Sequence, residues 1–411
     1  MFRIVYGFII SLYFFLILLA SPFHKKARLW IRGRKATDRL LRERWPVEKK
    51  VAWFHCASLG EFEQGRPVIE AFRSQRPDVY ILITFFSPSG YEIRKNYSGA
   101  DQVIYLPIDI KRKARMFIAA IQPHWAVFVK YEFWYNLLTE LHKKNIPAYL
   151  ISASFRPSSW FFNWYGKSFL NILTTFDHLF VQNTDSANLL AMYGIANVTV
   201  SGDTRFDRVH QIARNHVAIP RAEAFKNGHY LAIAGSTWKE DEDLLIRYIN
   251  QDAHGEKWIL APHEIHESHI HRITSNLTVP YVRFSQFDKP KEPDPKVLII
   301  DNIGLLSSLY KYGNIAYIGG GFGKGIHNVL EPAAFGLPVI FGPRFHKFQE
   351  AVGLIKQGGG FPIQSYEELM NTLDSFFNNP KAFDECGNHS EKFIKDHLGA
   401  TKIIVDKLLT V

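Results

Sequence analysis

The sequence predicts an α/β protein: two Rossmann-like, doubly wound domains behind one N-terminal transmembrane helix. Three observations carry this expectation. Residues 4–23 read IVYGFIISLYFFLILLASPF, without a charge. From Lys50 onward, short apolar runs alternate with helical stretches, the pattern of βαβ units and a mostly parallel sheet. The alternation lapses over residues 208–229, around Pro220, and then restarts. A chain of 411 residues is also too long for one ordinary core. The expected division is an anchor over 1–23, a first domain over 24–210 and a second over 211–411.

The anchor follows from length. At about 1.5 Å per residue the apolar run covers roughly 30 Å, the thickness of a bilayer core. The apolar region of a secretory signal is shorter, about 7–15 residues, and ends in a small-residue cleavage site. Here the run is longer and ends Ala20-Ser21-Pro22-Phe23. Lys25, Lys26, Arg28, Arg32, Arg34, Lys35, Arg39, Arg42 and Arg44 follow it. Positive charge beside a spanning helix stays on the cytoplasmic side, so the body is expected there and the short N-terminus opposite. The same cluster suits anionic head groups. That accounts for the net charge of +10 without nucleic acid, for which no recognition motif is present. Two cysteines, Cys56 and Cys386, are too few for a disulfide framework or a zinc cluster.

In the first half, buried strands are expected at 51–56, 79–86, 103–106, 125–129, 147–152, 178–181 and 198–200. In the second half they are expected at 231–234, 258–261, 281–284, 297–300, 315–318 and 339–341. Ligands of such sheets bind beyond the carboxyl ends of the strands, and the polar residues of interest fall there. Gly319-Gly320-Gly321-Phe322-Gly323-Lys324-Gly325 follows one strand and runs into His327-Asn328-Val329-Leu330-Glu331-Pro332. Glycines admit a close phosphate, Pro332 fits a first helical turn, and Glu331 is placed to accept from ribose hydroxyls. Neither a Walker A motif nor Gly-x-Gly-x-x-Gly is present, and a plain glycine-rich loop with a capped helix fits equally.

Gly235-Ser236-Thr237 and Pro262-His263-Glu264 close two further strands. His266, His269 and His271 raise the question of a metal, but their order does not match His-Glu-x-x-His, and no metal is expected. Asp241-Glu242-Asp243 lies inside an acidic run and reads as a solvated helix face. In the first half, Ser58-Leu59-Gly60-Glu61 follows the first strand. Glu61 is either a general base facing substrate or a carboxylate that favours a helix N-terminus. Glu132, in Lys130-Tyr131-Glu132-Phe133-Trp134-Tyr135-Asn136, sits among aromatics that either raise its pKa or only pack.

Together these residues resemble the 3-deoxy-D-manno-octulosonic acid (Kdo) transferases of Gram-negative lipopolysaccharide synthesis. The family's Ser-x-Gly-Glu turn is similar to Ser58–Glu61, its Glu-x-Trp-x-Asn segment to Glu132–Asn136, and its Ser-rich stretch to Ser152–Ser159. Its Gly-Asn-x-Lys-Phe-Asp is similar to Gly202–Asp207. The segments at Gly235–Thr237, Asp301–Gly304 and His327–Ala333 also have counterparts. The resemblance covers nearly the whole chain and rests on the order of motifs that are individually weak.

It implies a GT-B glycosyltransferase fold with acceptor in the first domain and nucleotide in the second. It implies inverting transfer of Kdo from CMP-Kdo to lipid A precursor (lipid IVA), without a metal, at the cytoplasmic face of the inner membrane. Glu61 would be the general base, and Glu132 and Arg205 would stabilise charge. Pro262, His263, Ile303, Gly304, Leu305, Asn328, Val329, Leu330 and Glu331 would bind CMP, with backbone N–H groups near Gly320–Gly325 at its phosphate. Departures are visible. Pro262-His263-Glu264 replaces Pro-Arg-His, leaving Lys324 or Arg344 to supply the phosphate's cation. Arg205 replaces a lysine, and Leu305 stands where a carboxylate is usual. A UDP-sugar transferase or epimerase of the same fold, and a non-catalytic membrane-bound scaffold, are the alternatives.

Overall fold

The computed structural model describes residues 2–42, 45, 48–159, 162–163, 166–251, 254–288 and 293–411; Arg44 of the basic flank lies outside them. The chain forms two compact units, Met1–Arg208 with Leu398–Val411, and Val209–His397.

Unit 1 is built on seven strands: β1 Val51–Cys56, β2 Tyr80–Phe85, β3 Gln102–Tyr105, β4 Trp125–Val129, β5 Ala148–Ala153, β6 His178–Val181 and β7 Val198–Val200. They pair in parallel in the order β3-β2-β1-β4-β5-β6-β7. Every residue of β1 is buried, as expected when helices cover both faces of a parallel sheet. The period-2 alternation of a strand then divides its side chains: Val51 and Trp53 join one core, Ala52, Phe54 and Cys56 the other.

The last fourteen residues correct the expected domain boundary. The helix Ala400–Leu408 puts Ile404, Val405 and Leu408 into the core that holds Phe54 and Phe62. Asp207 accepts from the backbone N–H groups of Gly399 and Thr401, at 2.8 and 2.6 Å. Residues 398–411 therefore belong to the first unit, although they follow the second in sequence.

Unit 2 contains β8 Leu231–Thr237, β9 Lys257–Pro262, β10 Tyr281–Arg283, β11 Val297–Ile299, β12 Ile315–Ile318, β13 Val339–Phe341 and β14 Gly360–Pro362. The strands are again parallel, in the order β10-β11-β9-β8-β12-β13-β14. Strand β14 was not among the expected elements. The expected linker over 208–229 is largely helical: Thr204–Arg214 runs into it, and Pro220–Lys226 buries Ala222 and Phe225.

Ahead of the first sheet lie α1 (Phe2–Ala20) and α2 (Lys25–Leu40). By length and composition α1 can cross a membrane. It also packs on unit 1, as described below.

These strand orders place a topological switch point between β1 and β4 in unit 1, and between β8 and β12 in unit 2. There the crossovers leave in opposite directions, and the crevice beyond the strand ends is open to a ligand.

Candidate active site

At the switch point of unit 1, β1 runs directly into α3 (Leu59–Gln75). Glu61 lies in the first turn of α3, and its Oε2 accepts from the Ser58 N–H at 3.1 Å. That satisfies a donor the helix start leaves free. Burial pushes the Glu61 carboxyl up to about 7, and the charge of Glu132 adds to the rise. Hydrogen bonds from the backbone of Ala57 and Ser58, and the charge of Lys130, oppose it. Glu61 thus caps a helix, with its carboxyl pushed up to about 7.

Glu132 leaves the end of β4 by way of Lys130, whose φ of 72° turns the chain sharply. Its Oε2 accepts from Trp134 Nε1 at 2.7 Å and lies 3.0 Å from His55 Nε2. His55 is fully buried in β1, and its Nδ1 is 2.8 Å from Thr84 Oγ1 on β2. A chain of contacts through three adjacent strands therefore fixes the Glu132 carboxylate. Glu132 lines a cavity of about 870 Å³ together with Tyr6, Tyr131, Trp134, Ser154 and Arg156.

Arg205 opens the helix Thr204–Arg214. Asp203 Oδ2 accepts from its Nε and Nη2 at 2.9 and 2.7 Å. The neighbouring Thr204 hydroxyl donates to the Gln64 carbonyl at 2.6 Å. This ties the start of the helix to α3, one turn beyond Glu61. Glu61 and Glu132 interact through their charges, whereas the Arg205 guanidinium is held by Asp203.

The switch point of unit 2 is chemically different. Gly319 and Gly321 are required by close approach: a Cβ on the first would sit 2.4 Å from Ser236 O, and on the second 2.6 Å from the backbone of Gly342. Gly320 adopts φ 90°. Its N–H donates to Asp241 Oδ2 at 2.8 Å, and its carbonyl accepts from Gly323 and Gly325, both at 3.0 Å. The expectation that N–H groups of this loop meet a phosphate is corrected for these three, whose N–H groups already have partners inside the fold. Arg344 N–H donates to Gly321 O, which holds Arg344 beside the loop.

The acidic run after β8 is a second correction. Asp241 and Glu242 are buried, not solvated. Asp241 accepts from Trp238 N–H, Gly320 N–H and the Tyr317 hydroxyl, at 2.9, 2.8 and 2.8 Å. Glu242 accepts from Thr237 Oγ1 and is paired with His269 and Arg272. Buried carboxylates persist only with such partners; Asp241 braces the glycine loop through Gly320, and Glu242 ties Thr237 to His269 and Arg272.

Of the residues expected at the nucleotide, His263 is exposed and stacks over two rings that lie side by side. Its centroid lies 4.6 Å from that of Trp238 and 4.5 Å from that of His327. Burial, followed by the neighbouring His263, lowers the His327 pKa to about 4. Neutral His327 Nε2 then accepts from Trp238 Nε1 at 3.0 Å. Trp238 and His327 were not among the expected site residues; both lie beside the switch-point strands. Pro262 is buried at the end of β9. Val329 and Leu330 are fully buried, so only their backbones can face a ligand. Glu331 accepts from Ser307 Oγ and Asn328 Nδ2 at 2.9 and 3.0 Å. Ile303 and Gly304 are exposed, Leu305 half-buried.

Residues 33–208 match the family model described as 3-deoxy-D-manno-octulosonic-acid transferase (kdotransferase). The chain is 26% identical to the 3-deoxy-D-manno-octulosonic acid transferase of Aquifex aeolicus, over 81% of this chain and 88% of that protein. It is 28% identical to the enzyme of that name from Rickettsia bellii, over 93% and 94% of the respective chains. Among solved structures it resembles a UDP-GlcNAc 2-epimerase from Neisseria meningitidis, with a TM-score of 0.63. At 15% identity, over 88% of this chain and all of that one, this likeness is one of fold, the two-domain GT-B class. With that fold and relatives of one name along most of its length, the chain is similar to the 3-deoxy-D-manno-octulosonic-acid transferases.

Proposed function

We propose that this protein transfers Kdo from CMP-Kdo to a hydroxyl of lipid A precursor (lipid IVA), with inversion, at the cytoplasmic face of the inner membrane. The observation that carries the reading is Glu61: a carboxylate at the switch point of unit 1 whose pKa is raised to about 7. A general base works best with a pKa near the working pH. In the proposed step the acceptor hydroxyl oxygen attacks the anomeric carbon of Kdo, and its proton passes to Glu61. The bond from that carbon to the phosphate oxygen breaks, and CMP leaves with the electron pair. Glu132, fixed by His55 and Trp134, keeps the Glu61 pKa high and holds negative charge where the sugar cation develops. Arg205 is the second position that would stabilise charge at the transition state.

In unit 2 the stacked Trp238, His263 and His327 rings offer an aromatic edge for the cytosine. Glu331 and the backbones of Asn328–Leu330 would hold the ribose, while Pro262 and Ile303–Leu305 would border the nucleotide. Lys324 and Arg344 are both exposed beside the glycine loop and are the available cations for the phosphate. No step in this scheme calls for a metal.

The likeness to a UDP-GlcNAc 2-epimerase motivates a second reading, a UDP-sugar enzyme on the same fold. Thermal unfolding with each nucleotide separates them. A ligand at 100 times its Kd stabilises by about 2.7 kcal/mol. CMP is expected to raise the Tm and UDP to leave it unchanged; stabilisation by UDP alone would favour the second reading.

A further inference from the structure

A narrow stripe of α1 packs on unit 1, although its length and composition alone would let it cross a membrane. Near its N-terminal end, Tyr6 is buried and donates from its hydroxyl to Asp109 Oδ2 at 2.6 Å. Asp109 is itself built into unit 1: its carboxylate accepts from the N–H groups of Asn136 and Leu137, each at 2.9 Å. The Tyr6 ring lies 5.6 Å from that of Tyr135. Further along, Ile10, Phe14 and Ile17 pack on a small core of Trp30, Ile31 and Ile108, and Tyr13 stacks on Phe86. From Tyr6 to Ile17 the helix runs about 16 Å with one side against the enzyme. That is about half of a bilayer core, measured from the end that a spanning helix would carry to the far side.

The other side of α1 is exposed among the described residues. Ile4, Phe8, Leu12, Phe15, Leu16 and Leu19 are exposed. Exposed Lys25, Lys26, Arg28, Arg32, Lys35 and Arg39 continue from it along α2. An exposed apolar surface that continues into a cationic helix suits an anionic leaflet. Arg3 adds a positive charge at the first turn of α1, and transferring it across the bilayer opposes the preference of basic residues for the cytoplasmic side.

We propose that α1 lies in one leaflet, with both ends on the side of unit 1, and that its inner face is a wall of the acceptor cavity. Tyr6 and Ile10 line the same 870 Å³ cavity as Glu132 and Arg156. A lipid acceptor would therefore pass from the leaflet along α1 into that cavity, its polar head toward Glu132. This second part rests on the transfer reading; the topology does not. It also reverses the expectation of an N-terminus on the opposite side of the membrane.

Topology is tested in full-length protein carrying Cys386→Ser, with one added cysteine at Arg3 or at exposed Met192 of unit 1. A membrane-impermeant maleimide is applied to sealed inverted vesicles and, separately, to right-side-out vesicles. Arg3→Cys and Met192→Cys are expected to react in the same preparation. Reaction in opposite preparations would overturn the proposal. The wall is tested with Ile10→Trp, which narrows the cavity from α1. A several-fold rise in KM for the lipid acceptor is expected, with KM for the sugar nucleotide unchanged; an unaltered acceptor KM would remove α1 from the site. Should no Kdo transfer be found at all, the labelling result still decides the topology.

Discussion

The two switch points share one topology and hold opposite kinds of chemistry. In unit 1 burial, and then the charge of Glu132, push the Glu61 carboxyl up to about 7. In unit 2 the carboxylates nearest the switch point are structural, because Asp241 and Glu242 are enclosed by donors. What unit 2 presents instead is a ring stack and a glycine loop. A carboxylate beside a strand end is thus no sign of catalysis by itself.

This contrast can be broken by mutation. Glu61→Ala is expected to lower kcat by about 10²–10⁴, the usual worth of a general base, with CMP still raising the Tm. Asp241→Ala should act the other way: it leaves the Gly320 and Trp238 N–H groups without a buried acceptor, at about 1–3 kcal/mol for each such group. Thermal unfolding and CMP affinity should both suffer, while a general-base role would have shown in the pH profile. Leu408→Ala, far along the sequence from either site, should cost about 2–4 kcal/mol by opening a cavity in the core of unit 1. Denaturant unfolding would register it, and nucleotide binding to unit 2 should be untouched.

The smallest expected effect concerns pH. Glu61 must be ionised to act as a base, so kcat/KM should rise with pH through about 7. Glu132→Gln removes a neighbouring negative charge and should move that rise to lower pH, whatever it does to the maximum. The stability has the opposite sign. Because the folded pKa of Glu61 is raised, the fold favours its protonated form, and this contribution fades as pH climbs from the unfolded value toward 7. Glu61→Gln should therefore gain thermal stability relative to the unmutated protein above pH 7 and little below pH 5, as followed by Tm against pH.

Most strands were legible because continuous apolar runs such as Val51–Cys56 and Ile315–Ile318 have few alternatives to a buried parallel sheet. Strand β14 was not: Gly360-Phe361-Pro362 has one apolar residue and two that usually end elements. The return of Ala400–Leu408 to the first unit is a long-range contact that no local pattern encodes. The burial of Asp241 and Glu242 did leave a signal. Both share a helical face with Leu245, Ile246 and Ile249, whereas the acidic run alone suggested solvent. At the site, Glu61 and Glu132 could be named from their places after strands. His55 could not, because a histidine inside an apolar run reads as core, and its contact with Glu132 depends on strand pairing. Tyr6 was hidden in the same way by the apolar run that carries it.

The central claim is that Glu61 is the base of a Kdo transfer. Its most direct test is to incubate the full-length protein with CMP-Kdo and lipid A precursor and to weigh the lipid product, with Glu61→Ala run beside it. The account predicts product heavier by whole Kdo residues, with CMP released, and none above background from the variant. Unchanged lipid with the unmutated protein, or equal product from Glu61→Ala, would contradict it.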